Sequence, residues 1–96
     1  MKRLKKSKYK SVVIKKKRYY FYKITWLDIT GDSGHADLHT SMGFMPSIMI
    51  THAYVLNKDR KNIRTFASYE ENDELFSDRN VFPKGCIVRM EKINEK

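Results

Sequence analysis

The chain of 96 residues has the length of one domain, and its 41% of hydrophobic residues is enough for a packed core, which argues against a fully disordered protein. Its single cysteine, Cys86, excludes an internal disulfide and a zinc site built from several cysteines. The longest apolar run is far shorter than a membrane span, and no segment has the pattern of a secretory signal. We therefore expect a soluble, non-membrane, cytoplasmic protein.

The formal net charge of +9 is distributed unevenly along the chain. Residues 1–23 contain eleven of the 20 basic residues and no acid, whereas the remainder carries nine basic residues against all eleven acids. A block of like charges repels itself and seldom belongs to a core. The sequence therefore predicts a basic N-terminal arm over residues 1–18, followed by a single small domain over residues 19–96.

Strand patterns dominate the chain after the arm. The segment 19–30 is dense in aromatic and β-branched residues, with apolar side chains on both faces, as in a strand of a small barrel. A short strand can precede it, with Lys15–Arg18 as the turn or edge. The predicted strands are Val12–Ile14, Tyr19–Thr30, Ile48–Leu56, Ile63–Tyr69, a short strand or turn within Leu75–Phe82, and Cys86–Ile93.

Turn residues separate these segments. The glycines of Gly31–Gly34 favour a turn, and Ser33 can cap a short helical turn over His35–Thr40. Pro83–Gly85 predicts a tight turn before the last strand. Short strands at this spacing predict a mainly β fold, a small barrel or roll of about five strands.

Four segments together resemble a group of small, uncharacterised bacteriophage proteins: Tyr22–Ile29, Asp32–Gly34, Arg64–Ser68 and Val81–Ile87. The resemblance covers residues 22–93 and leaves the basic arm outside. It implies a compact barrel of the SH3-like kind and a phage accessory protein that acts in the host cytoplasm. It implies no substrate and no activity.

The basic arm and its neighbouring aromatic residues indicate a nucleic-acid interface. Lysine-rich arms bind phosphate backbones because each neutralised phosphate releases a condensed counterion, and aromatic rings beside a basic groove stack on unpaired bases. The alternative is a solvated tail next to rings that belong to the barrel core. The candidate contacts are Lys15, Lys16, Lys17 and Arg18 to phosphates, with Tyr20 and Tyr22 stacking on bases.

Catalytic and metal-binding patterns are weak. The chain has no glycine-rich phosphate loop and no local signature of a nucleophile elbow or triad. His35 and His39 are four residues apart and could share a metal ion with Asp32 or His52, but a solvated polar turn explains them more simply. The sequence therefore predicts a non-enzymatic protein without a cofactor or a metal ion.

An apolar patch surrounds the proline at position 46. It consists of Met42, Phe44, Met45, Ile48 and Met49. The favoured interpretation is a loop folded over one open end of the barrel, and the alternative is a rim that binds a partner. The second functional hypothesis is therefore a barrel that binds a host protein or a small ligand and so inhibits or sequesters a host factor.

Overall fold

The structure, a computed structural model, describes residues 8–95. Strands account for 56% of the described residues and helices for 9%, so the prediction of a mainly β fold is confirmed. The elements in chain order are β1 (Ser11–Ile14), β2 (Lys17–Asp28), α1 (Leu38–Met42), β3 (Ser47–Lys58), β4 (Asn62–Phe66), β5 (Ser68–Tyr69), β6 (Phe76–Ser77), β7 (Asn80–Pro83), a 3₁₀ helix (Lys84–Cys86) and β8 (Ile87–Lys92).

The strand β2 organises an antiparallel sheet of six strands. The order is β1-β2-β3-β4-β7, and β8 also pairs with β2. β3 pairs with β2 along Phe21–Asp28, whereas β1 and β8 lie end to end on the opposite edge, against residues 17–20 and 22–26. β5 and β6 form a separate two-stranded sheet. The long aromatic segment identified in the sequence is thus the centre of the fold.

The main sheet is curled. β2 and β7 are three positions apart in the strand order, which in a flat sheet separates them by about 14 Å. The ring centroids of Trp26 in β2 and Phe82 in β7 nevertheless lie 5.3 Å apart. After β7, the 3₁₀ helix leads directly into β8 on the other edge of β2. The chain therefore brings the two edges of the sheet toward each other.

Apolar side chains are buried on both faces of β2. Tyr19 packs with Ile14 and Phe66 on one face, and partly buried aromatic and aliphatic residues of β3 and β6 surround this cluster. Ile24 is fully buried, and the alternation of side chains along a strand puts it on the face opposite Tyr19. Both faces of the strand therefore contribute to stability, as its sequence predicts.

The described part of the predicted basic arm belongs to the sheet. Residues 11–18 form a hairpin in which Val12 lies opposite Tyr19 and Ile14 opposite Lys17. Ile14 is 2% exposed, so the hairpin buries apolar side chains. The density of charge in the sequence of this segment does not indicate that burial. The arm prediction is therefore wrong for these residues, which form β1, at the position of the short strand predicted over Val12–Ile14, and the start of β2. Residues 1–7 of the prediction lie outside the described residues.

The segment that carries α1 differs from the prediction in its bounds and in its cap. The predicted helical turn covers His35–Thr40, whereas the helix covers Leu38–Met42. The side chain of Asp37, not of Ser33, caps the helix, because Asp37 Oδ1 accepts a hydrogen bond of 2.8 Å from the backbone N–H of Thr40. Asp32 closes the preceding turn by accepting from the N–H of Gly34 at 2.8 Å. Within residues 8–95, no helix is long and apolar enough to cross a membrane.

Every residue from 29 to 50 is exposed, and we refer to this stretch as the distal segment. Met42 and Met45 are 75% and 70% exposed, so the prediction that the methionine-rich loop folds over the barrel is wrong. The radius of gyration is 17.8 Å, compared with about 12 Å for a compact domain of this length. The chain between β2 and β3 therefore extends from the packed body instead of covering it.

Candidate nucleic-acid interface

A two-residue turn presents the first two candidate lysines. Lys15 and Lys16 join β1 to β2, with φ angles of 51° and 69°. Positive φ at both positions is the geometry of a type I′ turn, which usually contains Asn-Gly because other residues are strained there. The tight turn keeps both ammonium groups at the end of the hairpin and away from the sheet.

Within residues 8–95, the lysines at the hairpin turn have no carboxylate partner. Lys15, Lys16 and Lys17 are exposed, and the ion pairs found within residues 8–95 involve other residues. Those pairs join Arg64 to Asp59 at 2.7 Å and Arg89 to Glu91 at 3.4 Å. No acid in the described part of the chain therefore neutralises the positive charge of the turn, and an unneutralised charge of this kind suits a phosphate-binding surface.

Arg18 begins the second strand of the hairpin. Its Nη1 donates a hydrogen bond of 2.6 Å to Ser11 Oγ on the paired strand, so the guanidinium is positioned by the sheet. The register places Arg18 opposite Val13, an exposed residue. We refer to residues 11–18 as the cationic hairpin, since four consecutive cations occupy its turn and first β2 positions.

Tyr20 and Tyr22 share one face of β2, as predicted, but each ring already has a lysine beside it. Lys92 Nζ lies 4.2 Å from the centroid of Tyr20, and Lys58 Nζ lies 5.5 Å from that of Tyr22. Such cation–π contacts hold the rings and ammonium groups together. Along the strand, Tyr20 is about 13 Å from the turn at Lys16. The six candidates thus form a row along the hairpin and β2, not a single compact cluster.

Tyr19 and Trp26 are structural residues. Tyr19 is 4% exposed, and its ring contacts Phe66 with centroids 5.4 Å apart. Burial raises the pKa of the Tyr19 hydroxyl, and the negative charge of Glu74 raises it further. Trp26 Nε1 donates a hydrogen bond of 2.9 Å to Thr51 Oγ1. Burial removes the Tyr19 ring from contact with a base, and the Trp26 ring packs against Phe82.

The fold adds cations that sequence reasoning missed. Backbone pairing of residues 8–10 with residues 93–95 brings Lys10 and Lys92 to β2. Lys10 Nζ lies 4.3 Å from the Phe21 centroid, and Lys92 Nζ lies 5.1 Å from that of Tyr9. No local pattern could identify these residues, since their proximity depends on the register between distant parts of the chain. Because side chains alternate along β2, Lys92 adds a cation on the face of Tyr20 and Tyr22, whereas Lys10 lies with Phe21 on the opposite face.

A cavity of about 590 Å³ lies between β4, β6 and β7. Arg64, Asp78 and Arg79 contribute to its lining. Arg64 is paired with an aspartate, and Asp78 Oδ2 accepts a hydrogen bond of 2.6 Å from Ser68 Oγ. The cavity is thus lined by both positively and negatively charged side chains. This mixture does not favour an anionic ligand.

The histidine-containing segment forms no metal-binding group in the described structure. Among residues 8–95, no three side chains of His, Cys, Asp or Glu are grouped so that they could hold one metal ion. Asp32 and Asp37 instead accept hydrogen bonds from nearby backbone N–H groups. These two acids therefore stabilise turns.

A scan against protein-family models, a search of curated proteins and a search of solved structures each found no match to this chain.

Proposed function

We propose that this protein binds nucleic acid without catalysing a reaction, through the cationic hairpin and the lysine–tyrosine row along β2. The observation that carries the proposal is a turn of two strained lysines, exposed and without carboxylate partners in the described structure. Backbone strain that persists at an exposed turn favours a functional role for the residues that bear it. The ligand chemistry that fits is a flexible polyanion with accessible bases.

The tyrosines provide the second part of the proposed contact. A ring with an ammonium group over one face retains its opposite face, on which a base can stack for about 1–3 kcal/mol. The same ammonium group can contact a phosphate, so Tyr20 with Lys92 would bind one nucleotide at both its base and its backbone. This arrangement favours single-stranded over double-stranded nucleic acid.

The same proposal includes the type of β fold and the origin of the protein. We infer an SH3-like barrel in a phage accessory protein that acts in the host cytoplasm. The curl of the sheet and the 3₁₀ helix between β7 and β8 support the barrel assignment. The origin and the location rest on the resemblance of residues 22–93 to small bacteriophage proteins.

The test is the salt dependence of binding to a short single-stranded DNA, measured by fluorescence anisotropy between about 50 and 200 mM salt. If five or six phosphates are neutralised, the logarithm of the affinity falls against the logarithm of the salt concentration with a slope of roughly −4. Replacing Lys15 and Lys16 by glutamine (K15Q/K16Q) should weaken binding and make the slope shallower by about 1.4. Glutamine retains the strained turn, so only charge changes.

A matched control removes two exposed lysines elsewhere. Lys61 and Lys84 lie on the β4–β7 side of the molecule, where the N–H of Lys84 bonds the carbonyl of Lys61 at 2.8 Å. K61Q/K84Q lowers the net charge by the same amount and should leave the slope nearly unchanged. Equal losses in the two double variants would show that net charge alone drives binding and would overturn the proposed interface.

The second candidate is a barrel that binds a host protein or a small ligand. The exposed apolar side chains of the distal segment favour it, because large apolar patches on a monomer mark interaction sites. Recovery of a complex from host lysate with and without nuclease separates the candidates. Nuclease-sensitive recovery supports nucleic acid, and one nuclease-resistant protein supports the second candidate.

A further inference from the structure

One half of β3 has a free edge. β3 pairs with β2 along Ser47–Tyr54, but its other edge pairs with β4 only from Tyr54 onward. Among residues 8–95, no strand pairs with the outer edge of Ser47–Ala53. Seven residues at about 3.3 Å each leave about 23 Å of unpaired edge, with alternate backbone N–H and C=O groups pointing outward.

Three consecutive side chains on this edge are apolar and exposed. Ile48 is 70% exposed, Met49 40% and Ile50 52%. Ser47–Ala53 contains no Lys, Arg, Asp or Glu and no proline. A long uncharged edge strand of this kind pairs readily with another strand.

The other edges of the main sheet carry features that discourage pairing. β8 contains Arg89, Glu91 and Lys92, and β7 ends on Pro83. β1 lies between lysines on both sides in the sequence. Charged residues and prolines at sheet edges are the usual means by which proteins avoid pairing with one another. The unprotected half of β3 is the exception in this sheet.

Charge determines which strand can approach this edge. Residues 24–57 contain no Lys or Arg, although the chain has 20 of them. Two copies with a formal charge of +9 repel each other over most of their surfaces. Neither the β3 edge nor the distal segment therefore contains a Lys or Arg that would repel a second copy. The cation of the neighbouring strand is Lys23, which lies opposite His52 near the end of this edge.

We propose that two copies of this chain associate through antiparallel pairing of Ser47–Ala53 with the same residues of the second copy. A twofold axis near Ile50, the central residue of the edge, satisfies the outward backbone groups of both copies at once. The two curled sheets then join edge to edge. The exposed side chains of Ile48, Met49 and Ile50 of both copies then come together at the shared edge.

The first test introduces one charge at the axis. Ile50→Lys places like charges opposite each other across the twofold axis, which weakens association by at least about tenfold. Val88→Lys in β8 is the matched control, since Val88 is 51% exposed and Ile50 is 52% exposed. Sedimentation equilibrium of nuclease-treated protein at about 0.15 M salt measures the dimer without bridging nucleic acid, and the screening length of about 8 Å preserves repulsion between facing lysines. Thermal unfolding of both variants verifies that they fold.

The second test locates the axis by cross-linking. In a Cys86→Ala background, a single cysteine at position 50 should form a disulfide-linked dimer on mild oxidation, because facing residues of paired strands lie within disulfide reach. A cysteine at position 88 should remain monomeric. A purely monomeric protein, association unaffected by Ile50→Lys, or equal cross-linking at both positions would overturn the proposal.

Discussion

The two ends of β2 differ in charge and in packing. At its start, the cationic hairpin rests on a buried cluster in which Tyr19 is 4% and Phe66 0% exposed. At its end, the chain enters the distal segment, where no residue from 29 to 50 is buried. The end of β2 next to the cationic hairpin is therefore packed against a buried cluster. The end of β2 next to the apolar distal segment is followed by exposed residues.

This reversal shows why composition alone misleads for this chain. Charged side chains project from a hairpin whose alternate residues, Val12 and Ile14, face the aromatic cluster. Apolar side chains in the distal segment have no second layer of structure to cover them. The burial of a side chain depends on which face of its strand or helix packs against another element. The local density of charged residues does not indicate which face that is.

The largest expected effect contrasts two phenylalanines. Phe66→Ala removes a fully buried ring from the cluster under the cationic hairpin and should lower the free energy of unfolding by about 3–5 kcal/mol. Phe44→Ala removes a ring that is 51% exposed in the distal segment and should cost less than about 1 kcal/mol. Urea denaturation at low protein concentration measures both values, and similar losses would contradict the contrast.

A smaller effect is expected at the hairpin turn. Replacing Lys15 and Lys16 by Asn and Gly (K15N/K16G) relieves positive φ at both positions and should stabilise the protein by about 1–2 kcal/mol. The same variant should bind nucleic acid more weakly, because two cations are lost. K15Q/K16Q is the control and should unfold like the unmodified chain. Thermal unfolding distinguishes them, and no gain in the Asn-Gly variant would argue against the strained turn.

The smallest effect concerns two acids, one near each end of β3. Hydrogen bonds from Arg64 and from the N–H groups of Asn62 and Lys61 lower the pKa of Asp59 to about 2. The backbone N–H of Thr40 lowers the pKa of Asp37 in the distal segment.

Nuclear magnetic resonance titration should therefore show that Arg64→Gln raises the pKa of Asp59 and leaves that of Asp37 unchanged. Because the folded-state pKa of Asp59 is depressed, its contribution to stability is present above the ordinary aspartate pKa and is lost as the pH falls through about 2. An Asp59 that titrates normally in the intact protein would contradict the observed ion pair.

The sequence predicts the long strands well. The aromatic and β-branched composition of residues 19–30 and the alternation of residues 48–56 identify β2 and β3. β2 begins and ends two residues earlier than predicted, and β3 extends beyond its prediction at both ends. The third predicted strand, Ile63–Tyr69, is divided into β4 and β5 at Ala67. Local patterns suffice for these elements, because each needs only its own residues to define its faces.

The cationic hairpin and the lysine–tyrosine row were predicted less completely. Lys15-Lys16 has no turn signature, since type I′ turns are normally identified by Asn or Gly. Lys92 reaches Tyr20 only because β8 returns to β2, which no local window reveals. The candidate site therefore contains the predicted cations and tyrosines, but their neighbours depend on long-range register.

The pairing between the two outermost described segments also matters for re-engineering this chain. The N–H of Glu95 donates to the carbonyl of Lys8 at 2.7 Å, and Tyr9 and Asn94 form a bridge. A short peptide linker could therefore join residue 95 to residue 8 without disturbing the sheet. New termini opened in the turn at Gly31 would produce a circular permutant whose strand pairing is unchanged but whose order of synthesis begins near the helix.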